Sequence, residues 1–255
     1  MRLRTAALLA LLGLGTVAVA RETEGQPSAE EIFVAANQAY ELGDFETAIS
    51  GYEDLVVLGA DGGSVHFNLG NAYLRNGELG LAIAELRRSR NLMPRDRDVQ
   101  ANLSFARQSA RDAIAPPEAS PVLSTLLFWH YSLSKSELAA VLVIVNILFW
   151  GVAGARLFYR ESEVLRWILI GLLVTLVAVG GSVAAHQLLA RPVAVVLPQE
   201  IDAYSAPDSD SVVRFKLHAG TEVSIKDERE EWLRIALPDN QQAWIERSWA
   251  EAVAY

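Results

Sequence analysis

The chain contains no cysteine. Disulfides, thiolate nucleophiles, cysteine-ligated zinc, iron–sulfur clusters, covalent haem attachment and a lipoprotein anchor are excluded with it. Basic residues are also missing over a long stretch: from Glu22 to Leu74 there are ten acidic side chains and no Lys or Arg. With a formal net charge of −9 over 255 residues, the chain lacks the basic footprint that nucleic-acid binding requires. Groupings suited to catalysis are scarce as well. His66, His130, His186 and His218 fall in four separate segments, never at metal-ligand spacing, and no serine sits in a G-x-S-x-G turn. Glu230 and Glu231 are adjacent, which on a strand sends them to opposite faces and prevents them from acting as an acid/base pair. Neither enzymatic activity nor a metal or cofactor is expected.

Charge is absent from three further runs: Thr5–Ala20, Leu138–Ala155 and Trp167–Ala190. The first follows Arg2 and Arg4 and ends in Ala18-Val19-Ala20, the small-x-small shape of a signal-peptidase site, so residues 1–20 are expected to be a secretion signal. The other two are long enough to span a bilayer and are assigned to 137–157 and 167–190. Between them, the loop at 158–166 carries Arg156, Arg160 and Arg166 at or near its ends. Arg and Lys in a short loop mark the cytoplasmic side. Both flanking regions then lie outside, in agreement with the signal. The expected location is a bacterial inner membrane, with the N- and C-terminal parts in the periplasm.

The stretch from Val34, VAANQAYELGDFETAISGY, matches NLGNAYLRNGELGLAIAEL from Asn68 at an offset of 34 residues. Ala36 falls on Gly70, Asn37 on Asn71, Gly43 on Gly77 and Ala48 on Ala82. Thirty-four residues is the period of the tetratricopeptide repeat, a pair of antiparallel helices. Gly70 is small enough for a partner helix to approach closely, Asn76-Gly77 starts the turn, and Pro94 ends the second helix. Repeats are assigned to 29–62 and 63–96, with a half-repeat capping helix at 97–112, where Leu103 is in register with Leu69. Two and a half repeats leave apolar surface for a partner or a second copy to complete. Their concave face is expected to present Phe33, Asn37, Tyr40, Glu41, Phe67, Asn71, Leu74 and Arg75. Repeats that clamp chaperone-tail carboxylates use two Asn and three basic residues. Asn37 and Asn68 match the Asn positions, but Phe33, Asp98 and Asn102 stand where the basic residues belong, which argues against that mode.

A Pro-rich linker follows at 113–121, then an aromatic segment at 122–136 whose Phe128, Trp129, His130 and Tyr131 suit the membrane interface. The spans carry small residues four apart, Gly151 with Ala155 and Gly180 with Ala184, a spacing that lets helices pack closely in lipid. Asn146, Ser182 and His186 are their polar members.

After Pro192 the pattern changes to period two, with turns expected at Pro207-Asp208, Ala219-Gly220, Asp227-Glu228 and Pro238-Asp239-Asn240. Residues 193–253 resemble a bacterial SH3-like barrel through Ala206-Pro207, the LHAGTEV stretch, Trp232-Leu233-Arg234-Ile235 and Ala243-Trp244-Ile245. Trp232 and Trp244 are expected in its core, leaving Tyr204 and Trp249 as the ligand face. The fold expected is therefore multidomain: an all-α tetratricopeptide-repeat domain, a two-helix transmembrane hairpin and a small all-β SH3-like barrel.

This order of parts, with the FWHYSLSKSEL stretch before the first span and the LHAGTEV and AWIE motifs after the second, resembles the Bacteroides-aerotolerance (Bat) family from about Glu31 to Trp249. The resemblance implies a membrane-anchored scaffold for protein–protein interactions. It would work with von Willebrand factor A-domain Bat proteins and a MoxR-type AAA+ ATPase in envelope stress tolerance or complex assembly. The alternative is a cell-wall sensor that binds peptidoglycan through the barrel and recruits wall enzymes through its repeats.

Overall fold

The computed structural model describes residues 27–112, 120–188 and 192–253. The expected secretion signal (1–20) and most of the Pro-rich linker lie outside the described residues. Five helices come first: α1 (Ala29–Leu42), α2 (Phe45–Val57), α3 (Gly63–Asn76), α4 (Leu79–Leu92) and α5 (Arg97–Ser109). The starts of α1, α3 and α5 are 34 residues apart, the offset read from the sequence. Each start and stop has a local cause. Ser28 and Glu31 form a capping box at the head of α1, Asp44 and Asp96 cap α2 and α5, and Gly43 and Gly77 close α1 and α3 at φ 80° and 85°.

The same contacts recur from one helical hairpin to the next. Ala48 and Ala82 are both fully buried, as are Ala72 and Ala106. Asn68 Nδ2 donates to Asn37 Oδ1 at 3.0 Å, and 34 residues on Asn102 Nδ2 donates to Asn71 Oδ1 at 2.8 Å. Gly70 does what its position demands: a Cβ there would lie 2.8 Å from Leu86 Cγ and 3.2 Å from Ala82 O.

Beyond the linker, α6 (Pro121–Leu126) and α7 (Phe128–Ser132) are short, and α8 (Lys135–Phe158) and α9 (Glu163–Leu188) form a long antiparallel hairpin. Both long helices are long and apolar enough to cross a membrane, with mean hydropathy of 2.3 and 2.4 over their most apolar windows. Their apolar side chains face outward, Val143, Ile147, Trp150, Trp167, Val174 and Val177 among them, unlike the buried core helices of a soluble protein. The helices extend beyond the expected spans, so the connection shrinks to residues 159–162 and Glu163 and Arg166 join α9. The aromatic segment is two helical turns docked on the far end of α9. Trp129 Nε1 donates to Ser182 Oγ at 3.0 Å, and the His130 ring stacks on His186 at 4.3 Å. An ion pair between Arg95 and Glu137 ties the α4–α5 turn to the head of α8.

The last part is one antiparallel sheet: β1 (Val193–Val196), β2 (Glu200–Tyr204), β3 (Val213–His218), β4 (Glu222–Arg229), β5 (Trp232–Ala236), β6 (Gln242–Glu246) and β7 (Ala250–Val253). The strand order is β3-β2-β6-β5-β4-β1-β7. Ala194, Ile201, Leu217, Val223, Ile225, Leu233, Ile235, Ala243 and Ile245 meet in one buried cluster, which requires the sheet to curl around it. One turn differs from the expectation. Asp227 and Glu228 remain in β4, and the chain reverses at Glu230-Glu231, where Glu230 takes φ 48°. A register shift in the β4–β5 ladder between Ile225 and Asp227 lets the strand run on past the polar pair.

Because backbone stands opposite Gly70, Gly70→Val should destabilise the helical region by about 1–3 kcal/mol. The full chain in detergent micelles would show it as an earlier thermal loss of helical circular dichroism.

Candidate functional site

Two surfaces carry the polar and aromatic groups of interest: the seam between helices and sheet, and the outer face of the sheet. The seam begins with β1, whose four residues are all buried. Ala194 points into the sheet's own core, and Val195 points the other way. Val195 and Val253 of β7 pack with Ile83, Ala84 and Leu86 of α4, Leu103 and Ala106 of α5, and Ala110. At Gly80 the two backbones almost touch, since a Cβ there would meet Val196 O at 2.5 Å. Helix α5 has no following helix of its own, and the apolar face it shares with α4 is covered by β1 and β7. The expectation that a partner or second copy completes the half repeat is thereby corrected: this chain's own sheet does so.

Charge is buried along the same seam. Glu222, at the start of β4, is paired with Arg87 of α4 and accepts from Arg107 Nε of α5 at 2.5 Å. Arg87 and Glu222 side chains are only 2% and 5% exposed. A second branch runs from His66 Nδ1, 2.6 Å from Glu85 Oε2, through Glu85 and Arg88 to Glu251 of β7. A third joins the tail of α5 to the β3–β4 turn. His218 N and Thr221 Oγ1 donate to Asp112 Oδ2 at 2.8 and 2.6 Å, and His218 Nδ1 lies 2.8 Å from Asp112 Oδ1.

These partners decide protonation. Burial raises the Glu222 carboxyl, but Arg107 and Arg87 outweigh it and hold it below its usual range. Burial likewise opposes ionisation of Asp112, and the bonds from Thr221 and His218 prevail, again lowering it. Two of the four histidines are thus structural, engaged by carboxylates at the seam or beside it.

The residues expected on the concave helical face are largely engaged by other side chains of the same helices. Asn37 accepts from Asn68 and from Tyr52 Oη, the latter at 2.6 Å, and Asn71 accepts from Asn102. Phe33 packs edge-on to Tyr52, Tyr40 to Phe45, and Phe67 and Leu74 lean on the seam cluster. Glu41 and Arg75 are exposed, with the Arg75 guanidinium over the Phe45 ring. Asn37 and Asn68, the pair that matched a carboxylate clamp, are tied to each other.

On the sheet, strand alternation sets both tryptophans expected in the central cluster on its other side, where Trp232 is half-buried and Trp244 still buried. Ala243 and Ile245 point into the central cluster, so Trp244 lies on the other face of β6, where it is buried to 7% exposure with Arg229 and Arg234 over its ring at 5.0 and 5.9 Å. Leu233 and Ile235 are core, so Trp232 is on that other side too, and its ring meets Tyr204 edge-on at 5.7 Å. Trp249, expected on the ligand face, instead leans on the core while keeping contact with Tyr204 at 6.5 Å. The partly exposed aromatic face is therefore Tyr204 and Trp232, edged by Trp249.

The seam was not anticipated, yet it has a sequence signal. Val193-Ala194-Val195-Val196 lacks polar alternation, as a strand covered on both faces should. Nothing local marks Glu222, whose partners lie 135 and 115 residues away.

Glu222→Ala leaves two guanidiniums facing an apolar seam and should cost about 3–5 kcal/mol, whereas replacing Arg87, Arg107 and Glu222 together by apolar residues should recover much of it. Hydrogen exchange of β1 and α4 would report both. Acid acts through the same groups. Because both carboxyls have depressed folded values, their contribution is present above the ordinary 4.5 and 3.8 and is lost as pH falls through the lowered ones. Protection at the seam should accordingly hold at neutral pH and decline below about pH 4.

No family model matches the chain, and no curated protein shows significant similarity to it.

Proposed function

We propose that the chain is a membrane-anchored, non-catalytic adaptor that presents a rigid two-part platform to protein partners on the periplasmic side of a bacterial inner membrane. Its plan is similar to that of the Bat family. Helices α1–α5 are read as two and a half tetratricopeptide repeats and the curled sheet as an SH3-like barrel. The observation that carries the reading is the seam. Helices and sheet are separated in sequence by both apolar helices, yet they share buried ion pairs. Such contact supports placing both on one side of the membrane, which is what a hairpin of two spans requires. Arg156, Arg160 and Arg166 at the opposite end then mark the cytoplasmic side.

The partners expected from the resemblance are von Willebrand factor A-domain membrane proteins and, through them, a MoxR-type AAA+ ATPase. The inner connection at residues 159–162 is too short to receive an ATPase directly, so coupling passes through the partner proteins. The wall-sensor reading retains one observation in its favour, the partly exposed aromatic face of Tyr204 and Trp232, which suits an extended peptide or a glycan.

In-cell cross-linking of the tagged full chain, mild-detergent purification and mass spectrometry separate the two. Enrichment of von Willebrand A-domain membrane proteins cross-linked through α1–α5 is the expected result. Recovery of peptidoglycan fragments or wall enzymes through the sheet, without those proteins, would replace the adaptor by the wall sensor.

A further inference from the structure

The polar side chains within the long apolar helices are nearly all satisfied. Thr175 Oγ1 donates back to Gly171 O at 2.9 Å, Ser182 Oγ accepts from Trp129, and His186 Nε2 lies 3.2 Å from His130 O. Asn146 differs. It sits eleven residues after Lys135 and twelve before Phe158, at the centre of α8. Its side chain is exposed on the outside of the hairpin and has no hydrogen-bond partner among the described residues.

At 1.5 Å per residue, either end of α8 is about 16–18 Å away, far beyond the reach of so short a side chain. An amide held there in hydrocarbon keeps two donors and an acceptor unpaired, a costly state that association with another polar group relieves. Around Asn146 the same face offers Ala139, Val143 and Trp150, all exposed, and Gly154, where an added Cβ meets nothing within 4 Å. The hairpin's own packing uses a different side of α8. Leu138 is buried there, and Leu142 lies 3.8 Å from where a Gly180 Cβ would be.

We propose that a second copy of this chain covers this face, with the two Asn146 side chains paired across a twofold axis in the middle of the membrane. The inference rests on the reading of α8 and α9 as membrane spans. Two features select a second copy over another occupant. An amide is self-complementary, so a twofold axis lets each Nδ2–H donate to the other Oδ1. A second copy in the same orientation also places its amide at the same depth without further adjustment. The paired form would carry two helix-and-sheet platforms side by side, a bivalent surface for a repeated or symmetric partner.

The chain has no cysteine, so a single introduced thiol reports one position. Full-length Ala139→Cys, one heptad before Asn146 on the same face, is oxidised in native membranes, with Val145→Cys on the hairpin side as the control. A disulfide-linked homodimer is expected for Ala139→Cys and not for Val145→Cys. Adding Asn146→Leu should lower dimerisation roughly tenfold, as loss of two interhelical hydrogen bonds implies, and Asn146→Gln should restore most of it. Equal cross-linking at both positions, or cross-linking indifferent to Asn146→Leu, would overturn the pairing. So would an Asn146-dependent complex whose mass in detergent shows a different membrane protein in place of the second copy. Resistance of the chain to alkaline carbonate extraction tests the underlying reading separately. Release would sink both readings, whereas retention without an Asn146-dependent dimer would sink the pairing alone.

Discussion

One carboxylate, Glu222, holds the molecule to a single arrangement. It is buried between Arg87 and Arg107, which come from two different helices, while Glu222 itself comes from a strand that follows the long apolar hairpin in sequence. Neither sign of charge can be left there alone at small cost, so the groups assemble together or not at all. Apolar contact by Val195 and Val253 lines the seam, but it is non-directional. The ion pairs, with the Asp112 bonds to His218 and Thr221, determine which strand meets which helix. The seam also joins parts that the chain threads through two membrane-length helices to reach, which ties the soluble architecture to the topology of the hairpin.

Side chains that looked available for ligands have been divided between structure and surface by the same economy of hydrogen bonds. The two asparagine rungs, Asn37–Asn68 and Asn71–Asn102, repeat at the helical period and lock successive first helices together. A groove built this way is stiff, with its polar centre already satisfied. What stays exposed is charge at its margin, such as Glu41 and Arg75, and, in part, the outer aromatic face of the sheet. That face exists because alternation within β5 gives Leu233 and Ile235 to the core and turns Trp232 outward. On β6 the same alternation places Trp244 under Arg229 and Arg234, where it is buried.

In the hairpin, apolar surface is the rule and each polar group is informative by its partner. Ser182 and His186 near the end of α9 serve to dock Trp129 and His130, which ties the aromatic turn to that end of the apolar hairpin. Burial, with His186 beside it, keeps the His130 imidazole below its ordinary value, consistent with a neutral stack. Asn146 has no such partner among the described residues, and the proposed second copy would supply one.

What could be read without coordinates was what depends on neighbours in sequence. The 34-residue offset, the Gly70 contact, the caps at Asp44, Gly43 and Gly77, and the two charge-free helices all follow from local periodicity, local turn chemistry or simple length. Even the turn displaced from Asp227-Glu228 to Glu230-Glu231 was an error of a few residues in a correctly placed hairpin, because a bulge can absorb what alternation forbids. Tertiary structure alone decided that α5's open face is closed by β1 and β7, that Glu222 belongs to two distant arginines, and that Asn37 and Asn68 bind each other. Those outcomes depend on which surfaces come together across more than a hundred residues, and a buried charge carries no local mark of the partner that makes its burial affordable.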